Sequence, residues 1–154
     1  MEKWKISVVN CEIGSILIYT RNDICERIVL TNHFHEESED NVFTIQIREY
    51  LNGIRQEFDF PVKYKTGTTF ERIWECLKEK VSYGKIITYG ELGKLCNTNS
   101  RVVGYAMASN PLPLYIPCHR VVGKNSLGGF SAGGNDRGVS LIWKKYLLGL
   151  EGSI

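Results

Sequence analysis

Residues 88–110 read TYGELGKLCNTNSRVVGYAMASN, and the architecture of the second half of the chain turns on them. Thr88 and Glu91 stand three apart, the spacing of a capping box in which a hydroxyl and a carboxylate satisfy each other's backbone N–H groups. A short helix is expected from there to about Cys96. Asn97–Ser100 is a tight polar turn. A second helix is expected over Arg101–Ser109 and stops at Asn110-Pro111, because proline restrains the residue before it and lacks an N–H. Two short helices joined by a four-residue turn are a helix-turn-helix candidate. On the second helix Val102, Val103, Ala106 and Met107 face inward. Arg101, Gly104, Tyr105 and Ala108 face outward, and Gly104 and Ala108 keep that face low. A glycine inside a helix costs roughly 1 kcal/mol against alanine. Close approach of a groove or another backbone is one reason to carry that cost. Packing against another helix of the protein is the other.

Working outward, Thr68-Thr69-Phe70-Glu71 repeats the capping pattern. Phe70, Ile73, Trp74, Leu77 and Val81 then recur at helical spacing until Ser82-Tyr83-Gly84. Far downstream, Val139, Ile142, Trp143, Tyr146, Leu147 and Leu150 share one face of a final helix. The first half is different. Ile6–Val9, Ser15–Tyr19 and Arg27–Leu30 are short β-branched runs separated by turn residues such as Asn22-Asp23. Asn32–Asp40 is an acidic loop. Val42–Leu51 suits a helix closed at Asn52-Gly53, although the alternation of Val42, Ile45 and Ile47 leaves a strand open. Phe58–Thr69 is a connector. The expected fold class is α+β. A small N-terminal α/β domain with a short antiparallel sheet occupies residues 1–67. A mainly helical, winged-helix-like C-terminal domain with the helix-turn-helix occupies 68–154.

A chain of 154 residues, 43% hydrophobic and 23% charged, has the composition of a soluble globular protein able to bury a core. No apolar run approaches the roughly 18 residues of a membrane span. The opening MEKWKISVVN lacks the apolar stretch of a signal peptide. The expected location is the cytoplasm, at the chromosome (the nucleus in a eukaryote), with no membrane partner. Cys11, Cys25, Cys76, Cys96 and Cys118 are odd in number, scattered and free of CxxC pairs, unlike a secreted disulfide framework. Cys11, Cys25, His33 and His35 match no standard zinc spacing, and neither metal nor cofactor is expected. The net charge of +2 hides an asymmetry. Residues 1–67 hold 8 Lys+Arg and 11 Asp+Glu, whereas residues 68–154 hold 11 and 6. A basic second half suits an anionic partner such as nucleic acid, or reflects chance.

The chemistry concentrates in residues 110–122, NPLPLYIPCHRVV. Cys118 stands beside His119, behind prolines that stiffen the chain. A nucleophilic cysteine acts as the thiolate, and a free thiol has a pKa of about 8.5, so a base is needed and a neighbouring histidine can serve. A buried structural thiol is the other reading of the same residue.

Ile116–Val121, IPCHRV, resembles the active-site signature of the O6-alkylguanine-DNA alkyltransferases. Gly84–Tyr89 (GKIITY), Arg101–Gly104 (RVVG), Asn110-Pro111, Gly129–Ser131 (GFS) and Leu147–Gly152 follow in that family's order. The resemblance covers about residues 68–152, and the first half is compatible with the family's small α/β domain. It implies direct-reversal repair of O6-alkylguanine, and of O4-alkylthymine, in double-stranded DNA. A monomer enters by the minor groove and extrudes the damaged nucleotide, as base chemistry in a duplex requires. Gly104 and Ala108 then lie on the docking face. Arg101 matches the arginine finger that fills the vacated stack. Tyr89 matches the tyrosine that helps rotate the nucleotide and donates to guanine N3. Cys118 is the acceptor and is not regenerated. His119 matches the base that takes the thiol proton through a water, Glu151 the carboxylate that orients it, and Asn110 the brace of the turn. The carbonyls of Cys118 and Val121 read the exocyclic amine, and the Ser131 N–H meets O6. The alternative is a non-catalytic alkyltransferase-like protein that only binds the lesion, which lacks the cysteine. Two features depart from the family pattern. Phe130 stands where tyrosine is usual, which implies an altered alkyl preference. Residues 131–139, SAGGNDRGV, are longer than usual; their glycine pairs suggest a lid, or an insertion with no role.

Overall fold

The computed structural model describes residues 3–64, 67–128 and 137–154, with side chains in the last stretch from residue 140 onward. Strands β1 (Lys5–Cys11), β2 (Gly14–Arg21) and β3 (Ile24–Thr31) form an antiparallel meander in the order β1-β2-β3. The β2–β3 connection is two residues, Asn22 and Asp23, both in the left-handed region (φ 54° and 60°). This is the turn whose twist matches a hairpin, and Asn and Asp tolerate its backbone. At the β1–β2 turn a side chain on Gly14 would collide with the Thr31 carbonyl, so only glycine lets the strand end pass. The middle strand buries both faces: Ile16 and Ile18 on one, Ser15 and Leu17 on the other. The stretch expected to be a plain connector runs beside β3, where Cys25 N–H donates to the Pro61 carbonyl and Lys63 N–H to the Cys25 carbonyl, both at 2.9 Å. That pairing covers part of an otherwise open sheet edge.

Helix α1 spans Val42–Leu51, which resolves the helix–strand ambiguity. Asn41 caps it by accepting from Phe43 and Thr44 N–H, and the Thr44 hydroxyl accepts from Asn41 N–H in return. Gly53 follows the C-cap at φ +75°.

In the second half, α2 (Thr69–Lys80) opens on Thr68, whose hydroxyl accepts from Glu71 N–H. Ile73, Trp74 and Leu77 are buried as their spacing predicts, while Phe70 is half-buried. Next come β4 (Ile87–Thr88), α3 (Tyr89–Leu95) and α4 (Ser100–Ala108). The Thr88–Glu91 capping box forms in both directions. Asn97 takes a left-handed backbone (φ 56°) in the turn, and Asn99 caps α4 through Val102 N–H. The helix therefore starts and ends one residue earlier than expected. A short strand β5 (Val121–Val122) pairs in parallel with β4, Ile87 opposite Val121. This joins the start of the helix-turn-helix to the chain just past Cys118.

The last helix, α5 (Arg137–Leu150), corrects two expectations. Its backbone already includes residues 137–139, so the segment read as a loop is shorter than 131–139. The buried face is Ser140, Trp143, Lys144, Leu147 and Leu148, leading to Glu151, whereas Ile142 is 51% exposed. Apolar periodicity placed Ile142 on the inner face and did not include Lys144 in it. The lysine goes inward because a buried carbonyl receives its ammonium, as shown below. Among the described residues no helix is long and apolar enough to cross a membrane.

Candidate active site around Cys118

The segment from Asn110 to Val122 is held by hydrogen bonds that its sequence makes almost unavoidable. Pro117 sits at φ −80°, ψ 61°, and Cys118 N–H donates back to the Ile116 carbonyl at 2.7 Å. That is an inverse γ-turn. The same carbonyl accepts Asn110 Nδ2 at 2.9 Å, while Asn110 Oδ1 accepts Leu112 N–H at 2.9 Å. One buried amide thus clamps both ends of the loop. Leu114 takes φ 79°, a strained backbone for a branched residue. Cys118, His119 and Arg120 then form a single 3₁₀ turn, with Val121 N–H donating to the Cys118 carbonyl.

Cys118 is only 2% exposed. Burial pushes its thiol up to about 12, against the opposing pull of a hydrogen bond with Asn110 and the charge of Lys144. His119 is fully buried, and its Nε2 lies 2.7 Å from Glu151 Oε2. Burial lowers the imidazole pKa, the hydrogen bond and charge of Glu151 raise it, and the charges of Arg120 and Lys144 lower it; the net direction is down.

Glu151 is the hub. Arg120 Nε donates to its Oε1 at 2.8 Å, Arg120 Nη2 to its Oε2 at 3.1 Å, and the Tyr50 hydroxyl to its Oε2 at 2.6 Å. Burial alone would raise its pKa, but hydrogen bonds from His119 and Arg120, with their charges, hold it at about 2. Arg120 Nη1 donates to the Val81 carbonyl at 2.9 Å. Lys144 Nζ donates to the Val121 carbonyl at 2.7 Å and sits 5.8 Å from the centre of the Tyr89 ring. Burial lowers its pKa to about 8.

The structure therefore brings together four of the predicted residues: Cys118, His119, Glu151 and Asn110. Half-buried Tyr89 stands against Gly128, where any side chain would strike its ring. Val121 is fully buried, and its carbonyl accepts Lys144, so this oxygen and that of Cys118 each already hold one hydrogen bond. Arg101 and Ala108 are exposed and Gly104 half-buried on the outer face of α4, with Tyr105 60% exposed among them. Among the described residues nothing within 4 Å would meet a methyl on Gly104, so packing against another described helix does not explain it. Phe130, Ser131 and the expected lid up to residue 136 lie outside the described residues. Two cavities, of about 490 and 780 Å³, are lined by groups including Tyr115 and Arg120 or Trp74 and Pro111, and neither is lined by Cys118.

Sequence reasoning missed Arg120, Lys144 and Tyr50. Arg120 carried a signal, since it lies inside the six-residue motif. Tyr50 carried none, because its partner is 101 positions away.

Residues 68–153 match the family model of the 6-O-methylguanine DNA methyltransferase DNA-binding domain. The chain is 40% identical over 116 residues, 75% of its length and 77% of the relative's, to the methylated-DNA–protein-cysteine methyltransferase of Archaeoglobus fulgidus. It is 33% identical over 150 residues, 95% of its length and 80% of the relative's, to the protein so named from Thermococcus barophilus. Among solved structures, it resembles the O6-methylguanine DNA methyltransferase of Methanococcus jannaschii. That match has a TM-score of 0.62 at 28% identity, over 94% of this chain and 92% of that one. The fold also matches that of Mycobacterium tuberculosis OGT in complex with DNA, with a TM-score of 0.78 at 24% identity, over 96% and 93% of the two chains.

Proposed function

Because the chain belongs to the 6-O-methylguanine DNA methyltransferase family, we propose that it repairs DNA by direct reversal, moving the alkyl group from guanine O6 onto its own Cys118. The observation that carries the assignment of residues is the buried series Arg120 and Tyr50, Glu151, His119, whose last member is the chain neighbour of a buried thiol. An ionised carboxylate only accepts hydrogen bonds, so His119 donates to Glu151 through Nε2. Nδ1 is then the nitrogen that takes a proton. With its pKa lowered, the imidazole is neutral at pH 7 and able to act as a base. The Cys118 thiol, at about 12, does not ionise unaided.

As substrate enters, His119 takes the thiol proton directly or through one water, and Glu151 stabilises the imidazolium that forms. The sulfur attacks the alkyl carbon while the carbon–O6 bond breaks, and the electron pair leaves on the purine. Donors aimed at the developing anion lower this barrier. Tyr89 is assigned to N3 and the Ser131 N–H to O6. The guanine anion then gains a proton and is restored. A thioether is a poor leaving group, so each chain acts once.

The base is reached by flipping it from duplex DNA. In this reading residues 68–154 bind the minor groove with α4, Arg101 fills the gap, and Gly104 and Ala108 admit the backbone. Phosphate contacts from the more basic half add affinity. Residues 1–67 contribute Tyr50. The protein works as a monomer in the cytoplasm, at the chromosome. The test is intact mass after mixing with duplex DNA containing O6-methylguanine. Mass should rise by one methyl group and stop at one per chain, on Cys118. Repeated turnover, or a methyl on Cys96, overturns the assignment.

A further inference from the structure

The helix-turn-helix is backed by α2, which grips it at two points. Trp74 Nε1 donates to the Ala106 carbonyl of α4 at 2.7 Å. Arg72 Nη2 donates at 3.2 Å to the carbonyl of Cys96, the C-cap of α3. Cys76 follows Arg72 by one helical turn and so lies on the same face of α2. Its thiol neighbours that of Cys96: burial first, and then the nearby Cys76 thiol, push the Cys96 thiol up to about 12. Both are free thiols, Cys96 buried and Cys76 half-buried, and the transfer chemistry of Cys118 uses neither. Two neighbouring free thiols on separate elements, one of them half-buried and so partly reached by solvent, are the arrangement of an oxidisable cysteine with its resolving partner.

We propose that Cys76 and Cys96 are a reversible redox site, oxidised by hydroperoxides to a disulfide that ties α2 to the turn of the helix-turn-helix while Cys118 stays a thiol. Cys76, the accessible partner, attacks a peroxide oxygen as the thiolate. The O–O bond breaks, and Cys76 becomes a sulfenic acid. The Cys96 sulfur then attacks the Cys76 sulfur, forming S–S and breaking S–O, and the departing hydroxide leaves as water with the Cys96 proton. The two sulfurs give up two electrons and the peroxide takes them. With hydrogen peroxide the products are one disulfide and two waters, and a small dithiol reverses the change by exchange. Cys118 is spared because it is buried and stays protonated, and oxidation follows thiolate character and exposure.

The experiment treats the intact protein with hydrogen peroxide, quenches it by alkylation, and maps peptides without reductant. The expected result is the loss of two hydrogens, one cross-linked peptide pair joining Cys76 to Cys96, full recovery with dithiothreitol, and Cys118 recovered in alkylated form. Cys76→Ser and Cys96→Ser should each abolish the cross-link, while Cys11→Ser should not. Sulfenic or sulfinic acid accumulating on Cys76 without a cross-link, a disulfide elsewhere, or Cys118 oxidised first would each overturn the proposal. If the serine variants do not fold, the wild-type map decides alone.

Discussion

The turn that carries Cys118 and the outer face of α4 lie in the same half of the chain and are built on opposite principles. Around Cys118 the ionised groups are buried, and each answers another: Glu151 takes His119, Arg120 and Tyr50, while Lys144 takes a carbonyl. On α4, Arg101, Tyr105 and Ala108 face solvent. In the proposed function, a reactive group whose proton must move on demand needs fixed partners shielded from bulk water, whereas a surface that meets any DNA sequence needs little except charge and clearance. Changes inside should therefore cost stability and chemistry together. Changes on α4 should leave stability alone or even improve it.

The largest effect expected is that of Glu151→Ala. It leaves the buried Arg120 without its carboxylate, and breaking such a pair costs about 3–5 kcal/mol. Urea denaturation should show that loss, and methyl transfer should fail in whatever protein remains folded. Loss below about 1 kcal/mol would mean that water replaces the carboxylate and that the two regions are not so different.

Acid reads the same group without a mutation. Glu151 is held at about 2 against an ordinary 4.5. A depressed carboxylate contributes its stability fully above the ordinary value and loses it as pH falls through the folded one. The urea midpoint should therefore drop between pH 4.5 and about 2, and more steeply in the wild type than in Glu151→Gln. Parallel slopes would assign the acid sensitivity elsewhere.

Next comes Tyr50→Phe, which removes only the hydroxyl that reaches Glu151 from α1. A hydrogen bond to a charged group contributes about 2 kcal/mol, and the urea midpoint should fall accordingly. Transfer should slow without vanishing, because His119 and Arg120 still hold the carboxylate. An unchanged midpoint would detach the first half from the site.

Much of this was legible in the sequence, and the failures share a cause. The Asn22-Asp23 turn, the ends of α1 and both threonine caps are local, set by residues within four positions of one another. IPCHRV marked the thiol and its histidine. What escaped was long-range or inverted. Tyr50 meets Glu151 across 101 positions. Lys144 is a charge on an inner face, where periodicity expects apolar residues, and its burial also misdirected Ile142. Arg120 was visible, but nothing local says that a guanidinium will be buried rather than left to solvent.

On the α4 side the expected sign reverses. Gly104→Ala places a methyl in open space and restores helix propensity, so stability should rise by about 1 kcal/mol. Affinity for duplex DNA should fall if the low face admits a groove. Tighter binding would refute that use of the glycine. The smallest stability change is expected for Arg101→Ala, within about 0.5 kcal/mol. It should nonetheless slow repair in duplex DNA more than transfer from the free base. Equal losses on both substrates would argue against a residue that fills a gap in the stack.

The bond from Tyr50 to Glu151 also orders events in time. Its two ends are 101 residues apart, and closing so long a loop is entropically costly and comes late when a chain gains structure. The meander, α1 and the helix-turn-helix can form from near neighbours beforehand. Through that interval Glu151 can already meet His119 and Arg120, which lie 32 and 31 positions away, but not Tyr50. In the proposed mechanism a chain whose first half has not yet docked would therefore be a slower reagent than the finished fold.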